Sequence, residues 1–176
     1  MVTTEETGQV QEQNLPTIYI QQAEELQAPS PFRIENYYIT ERVTAYNRYY
    51  IDNDGILWGS GYNENGQLGT GSYETDFDKG QFDDVRIADH VVSVDADWNN
   101  NFCIYLTEDG NLYGLGLNMA GLLLGKDTAK QVYSDMDNDR VCTPTLLMKN
   151  VRYARAGREA IIVLKEDGTV YWWGQL

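Results

Sequence analysis

One histidine, His90, and two cysteines, Cys103 and Cys142, are all that this 176-residue chain holds of the side chains most used for nucleophilic and metal chemistry. No Ser–His–Asp or Cys–His arrangement can be assembled from them, and no disulfide-dense framework either. Two buried thiols are expected, with a single bridge as the alternative. No apolar run approaches the roughly 18 residues that span a bilayer as a helix. Basic residues are scarce as well, 13 Lys and Arg against 27 Asp and Glu, for a net charge of −14. Such a surface repels phosphate backbones and anionic headgroups, so nucleic-acid binding and membrane insertion are not expected. It favours solubility first, and cations or basic partners second. The polar stretch Met1 to Gln13 has no apolar signal region, which neither supports nor excludes secretion.

Aromatic residues are plentiful by contrast, 12% of the chain, with 13 tyrosines. Aromatic and β-branched side chains suit a pleated, half-buried surface, so the composition leans toward sheet. Residues 1–31 stand apart as a polar leader or linker. Pro29 and Pro31 break any helix begun by Gln21 to Gln27, and only Thr17-Ile18-Tyr19-Ile20 reads as a strand that this segment could donate.

Three Asp-Gly pairs punctuate the remainder, at Asp54-Gly55, Asp109-Gly110 and Asp167-Gly168. In each unit an aliphatic residue lies two positions after the glycine (Leu57, Leu112, Val170). An aromatic residue follows at three (Trp58, Tyr113, Tyr171), and a second glycine at six (Gly61, Gly116, Gly174). Asp-Gly provides the positive φ of a tight hairpin turn. The preceding strands Phe102 to Thr107 and Ala160 to Lys165 lead into it, and the later glycine permits a bend or a close backbone approach. Further strands are expected at Val91-Val92-Ser93-Val94, at Val151-Arg152-Tyr153-Ala154, and at Thr145-Leu146-Leu147-Met148 after Pro144. The glycines are spaced by 55 residues (Gly55 to Gly110) and 58 (Gly110 to Gly168). Several strands per unit at that period mark propeller blades, which must stack because one sheet cannot bury both faces alone. The expected fold is all-β: a partial β-propeller of four-stranded antiparallel blades, about two and a half repeats. The domain is placed at 32–176, with units of about 36–90, 91–150 and 151–176.

Gly61-Tyr62-Asn63-Glu64-Asn65-Gly66-Gln67-Leu68-Gly69, together with Leu106 to Gly110, resembles the regulator of chromosome condensation repeat family, and its bacterial-type members in particular. The likeness covers about residues 36–176. The second unit keeps Gly116, Asn118 and Pro144 but departs at Gly121-Leu122-Leu123-Leu124-Gly125, read as one residue longer and lacking the glutamine. Complete members form seven-bladed propellers, so the resemblance implies a fragment of a longer protein, or alternatively an open assembly pairing with other chains. The best-known member is a guanine-nucleotide exchange factor for a small GTPase on chromatin. That activity is not carried over, since the acidic balance opposes chromatin and no loop matches an exchange element. The resemblance instead implies a non-enzymatic module for protein–protein interaction through propeller-face loops, extracellular or cell-surface in preference to cytoplasmic. Its partner is unnamed. The remaining blades or self-association would complete the fold.

No catalytic, cofactor or metal residue is assigned. His90 reads as a half-exposed strand-edge residue rather than a general base. The glycine pairs Gly59/Gly61 and Gly114/Gly116 lack the helix and lysine of a phosphate loop. Asp135-Met136-Asp137-Asn138-Asp139 opens like a calcium loop, but Arg140 replaces the required glycine and Leu146 the bidentate glutamate, which leaves a solvated acidic loop. The inserts Ser72 to Phe82 and Asp127 to Asp139 are expected as rim loops, either binding surfaces or tolerated insertions. A carbohydrate-binding propeller is the second reading, in which Trp98, Tyr62 or Trp172 stacks on sugar rings. Burial in the blade core is the expectation it competes with.

Overall fold

The structure is a computed structural model and describes residues 17–18, 38–74, 76, 81–99, 101–118, 121, 123–124, 140–158 and 160–174. Among these, three four-stranded antiparallel sheets follow one another along the chain, as expected of partial propeller blades. The first blade is β2 (Glu41–Val43), β3 (Asn47–Ile51), β4 (Leu57–Gly61) and β5 (Gln81–Ala88). The second is β6 (Val91–Ala96), β7 (Phe102–Thr107), β8 (Leu112–Leu117) and β9 (Arg140–Met148). The third is β10 (Val151–Ala156), β11 (Ala160–Lys165) and β12 (Val170–Gly174), with β1 (Thr17–Ile18) on its outer edge. Thr17 pairs with Tyr171 and Ile18 with Val170. The half repeat read from the sequence is thus a whole sheet, completed from the far end of the chain.

The Asp-Gly pairs form the tight hairpin turns expected of them. Only the glycine takes positive φ (+74° at Gly55 and Gly110, +88° at Gly168). Gly55 N donates to Asp52 O at 3.1 Å while Asp52 N donates to Ile56 O at 3.0 Å, and the same pair of bonds recurs at Thr107–Asn111 and Lys165–Thr169. A longer loop closed by a left-handed glycine produces this pattern. The turns also join blades: Val91 N donates to Gly55 O, and Val151 N to Gly110 O, each at 2.9 Å.

Two apolar clusters lie between the sheets. Tyr49, Leu57 and Leu68 of the first blade meet Val94, Cys103, Tyr105 and Leu115 of the second. Phe102, Ile104, Leu112 and Leu123 of the second meet Val151, Ile161, Val163 and Trp173 of the third. Alternation along each strand sends successive side chains to opposite neighbours, so a blade contributes to both clusters. β9 begins at Arg140, well before the expected start after Pro144. The proline sits where the β8–β9 register slips between Gly114 and Gly116, and an outer strand with an irregularity accepts a residue that cannot donate.

The glycine six residues past the first and second turns is required by contact. A Cβ on Gly61 would lie 2.1 Å from Tyr46 O, and one on Gly116 2.3 Å from Asn101 O, at φ of +116° and +112°. At Gly168 the backbone is also left-handed, but nothing stands within 4 Å. Gly168→Ala therefore costs about 1 kcal/mol of stability, for backbone conformation alone. Gly116→Ala costs at least roughly twice that, measured by urea denaturation. Equal losses at the two positions would remove close approach as the reason for the glycine.

Candidate functional site

The hairpins joining the first and second strands of each blade all emerge at the end opposite the Asp-Gly turns. In the first two blades side chains cap them. Thr44 Oγ1 accepts from Asn47 N at 3.0 Å. Asp97 Oδ1 accepts from Asn101 N at 2.6 Å and Phe102 N at 3.1 Å, and its Oδ2 from Asn101 Nδ2 at 2.9 Å. Tyr46 is 60% exposed and Trp98 64%. Tyr62 lies against Tyr46 with ring centroids 5.1 Å apart, and its carbonyl accepts from Asn47 Nδ2 at 2.8 Å. A shallow, open depression of about 300 Å³ lies beside this hairpin, lined by Val43 to Arg48 with Ser60 and Gly61. Asn47 Oδ1 is buried there without a hydrogen-bond partner among the described residues.

Beneath the tips lies a charge node shared by all three blades. Asp95, almost fully buried on β6, is 3.2 Å from Arg42 Nε of β2 and 3.6 Å from Arg155 of β10. Its oxygens also accept from Ala96 N and Ala156 N, each at 3.0 Å. The three side chains occupy the same register in their blades, opposite Tyr49, Ile104 and Ile162 respectively. Two guanidiniums around one carboxylate leave a local excess of positive charge inside an acidic molecule.

The asparagine-glycine loops after β4 and β8, which carry the family resemblance, are occupied with their own backbone. Asn63 Oδ1 accepts from Leu68 N at 2.9 Å, and its Nδ2 donates to Thr70 Oγ1 and Ser72 O. Asn118 Oδ1 accepts from Leu123 N at 3.0 Å and Leu124 N at 2.8 Å. Gly66 N bonds Asn63 O as Gly121 N bonds Asn118 O. Leu123 therefore stands in the place of Leu68, five residues past its asparagine. Leu122 and the closing Gly125, where the second unit was read as losing the glutamine and gaining a residue, lie outside the described residues. These loops are scaffold.

The sequence-predicted positions separate clearly. Trp98 is exposed at a hairpin tip rather than buried in a blade core, and Tyr62 and Trp172 are half-buried. His90 is no strand-edge residue. It is an exposed link between β5 and β6 at φ +55°, matched by Asn150 at +57° between the next blades, and its Nδ1 is 3.6 Å from Glu108 Oε2. Cys103 is buried and Cys142 half-buried, and both are unbonded. The Asp135 to Asp139 segment lies outside the described residues, among which no group of three His, Cys, Asp or Glu could hold a metal. Tyr46 and the Arg42–Asp95–Arg155 node were not singled out in the sequence. The one available signal was an aromatic residue in the short loop before β3, as Trp98 is in the loop before β7.

No family model matches the sequence, and no curated protein is similar to it. Solved structures do resemble the fold. Human WBSCR16 superposes with a TM-score of 0.60 at 21% identity, over 77% of this chain and 32% of that one. Prp20p from Saccharomyces cerevisiae, described with its binding to Gsp1p and histones, gives 0.62 at 23% over 76% and 32%. Yeast RCC1 (Prp20) in a complex with Kap60 gives 0.55 at 26% over 75% and 31%. The chain thus carries RCC1-like β-propeller repeats and spans about a third of the length of the structures it matches. These neighbours are human and yeast proteins, and they lend no support to a bacterial-type assignment.

Burial raises the pKa of the Asp97 carboxyl above its ordinary value, against the opposing donations from Phe102 N and Asn101 N. The folded state then holds this proton more tightly than the unfolded chain. The group's contribution to stability falls as pH rises from the ordinary carboxylate range through the raised value. Asp97→Asn keeps an acceptor for both amides and should flatten that fall in denaturation curves taken from pH 3 to 7. Asp97→Ala strands the two amides and should cost about 1–3 kcal/mol. A pH profile identical in Asp97→Asn and the parent would refute the assignment.

Proposed function

We propose that this chain is a non-enzymatic repeat domain for protein–protein interaction, engaging its partner through the hairpin tips that carry Tyr46 and Trp98. In this reading residues 32–176 are the interaction domain and 1–31 a leader that donates β1. The observation that carries it is the exposure of two large aromatics at equivalent hairpins on one end of the blades, above a pair of arginines. Trp, Tyr and Arg dominate binding hot spots because they offer wide contact area and directed hydrogen bonds at low entropic cost. The structural neighbour Prp20, yeast RCC1, is described in two structures with protein partners, Gsp1p and histones in one and Kap60 in the other. A net charge of −14 adds long-range attraction for a basic partner.

Cross-linking capture from a cell extract tests this. The parent chain should retain a specific protein, with capture weakening as salt is raised. Tyr46→Ala with Trp98→Ala should lower retention by about tenfold or more, the scale of a hot-spot loss, while circular dichroism stays unchanged. Capture that survives the double substitution would place the interaction elsewhere.

A carbohydrate-binding role is the second reading, favoured by the exposed Trp98 ring. A glycan array decides between the two. Sugar-specific binding lost in Trp98→Ala supports the lectin reading, and a blank array rejects it.

A further inference from the structure

Asp95 is the meeting point of three blades, and the charges around it do not balance. Its Oδ1 accepts from Ala96 N and lies 3.2 Å from Arg42 Nε, while its Oδ2 accepts from Ala156 N and lies 3.6 Å from Arg155 Nη1. Each oxygen thus has a backbone amide and a guanidinium beside it, which fills the acceptor capacity of one carboxylate. One negative charge faces two positive ones.

The two arginines are committed unequally. Arg155 donates from Nε to Tyr153 OH and lays its guanidinium 5.3 Å from the centre of that ring. Arg42 commits Nε alone, which donates to Ala96 O at 3.2 Å. Its terminal nitrogens donate to no described residue, although they form the planar fork that suits a second carboxylate. The Arg42 side chain is 33% exposed, against 5% for Asp95. Arg42 reaches from the first blade to the second and Asp95 from the second to the third, so both lie between adjacent sheets. Thr44 and Asp97, two residues further along, cap the hairpins that carry Tyr46 and Trp98.

We propose that Arg42, in the field of Arg155, anchors a single carboxylate of the partner, an aspartate or glutamate side chain. This rests on the hairpin-tip reading and names the chemistry received beside the tips. A polyanion is a poor occupant, because a net charge of −14 repels a chain of phosphates across the screening length of roughly 8 Å. One carboxylate within an otherwise basic segment is drawn in by the same field and then meets the fork. Asp95 holds the guanidinium in place beforehand, which lowers the ordering cost of a long side chain on binding.

Side-chain nitrogen–proton spectra of the full chain, titrated with sodium acetate and with sodium chloride at matched ionic strength, test the site without any partner. The Arg42 Nε–H signal, identified by its absence in Arg42→Lys, should shift saturably with acetate and not with chloride. Arg155→Gln should raise the acetate dissociation constant about threefold or more through loss of the second cation, while the far-ultraviolet spectrum and melting temperature hold. Inorganic phosphate should bind no more tightly than acetate. In the capture assay Arg42→Lys, which keeps the charge and loses the fork, should lower retention about tenfold. Equal responses to acetate and chloride overturn the proposal, as does indifference to Arg155→Gln. Tighter binding of phosphate overturns it too, marking a phosphate site instead. None of these failures touches the hairpin-tip reading, which Tyr46→Ala with Trp98→Ala tests separately. Capture that survives Arg42→Lys but not the aromatic pair removes the anchor alone.

Discussion

Each apolar face in this chain is buried only because the next blade lies on it. Leu57 and Leu112 are fully buried for that reason alone, and Val170, at the same place in its strand, is not. The carbonyls of Gly55 and Gly110 set the spacing by accepting the first amide of the following blade. The Asp-Gly turn thus has two duties, reversing the chain and docking the neighbour. Stability of this kind is a sum over adjacent units, in which no single sheet is self-sufficient.

The scaffold was legible where its cause is local. A left-handed glycine, a strand of alternating side chains and a glycine pressed against a carbonyl each leave a mark within about ten residues, and the strands Phe102–Thr107 and Ala160–Lys165 fall where the pattern set them. Long-range causes were not legible. The Arg42–Asp95–Arg155 node joins residues of opposite charge more than fifty positions apart, so no class of side chain repeats to betray the common register. Trp98 stands clear in a loop that Asp97 ties to Asn101 and Phe102, an arrangement that periodicity does not record. The strand at Thr17 and Ile18 could be suspected from its composition, but its pairing with β12 could not.

Scaffold and recognition occupy different chemistry. Asparagine, glutamine and glycine in the loops after β4 and β8 are consumed by backbone hydrogen bonds, which makes them good markers of the fold and poor carriers of specificity. The hairpins between first and second strands are short, and in the first two blades they are capped by side chains. Tyr46 and Trp98 occupy those tips. Divergence of partner within one architecture can therefore proceed without disturbing the stack.

The pairing of Thr17 with Tyr171 spans 154 positions and has a temporal meaning. During synthesis the first and second blades can form in order as they leave the ribosome, each templating the next. β1 emerges before any of them and must wait, unpaired, until β12 is made. A two-residue ladder offers few bonds with which to offset closure of so long a loop. Of the strand pairings described, it joins the residues furthest apart in sequence and rests on the shortest ladder.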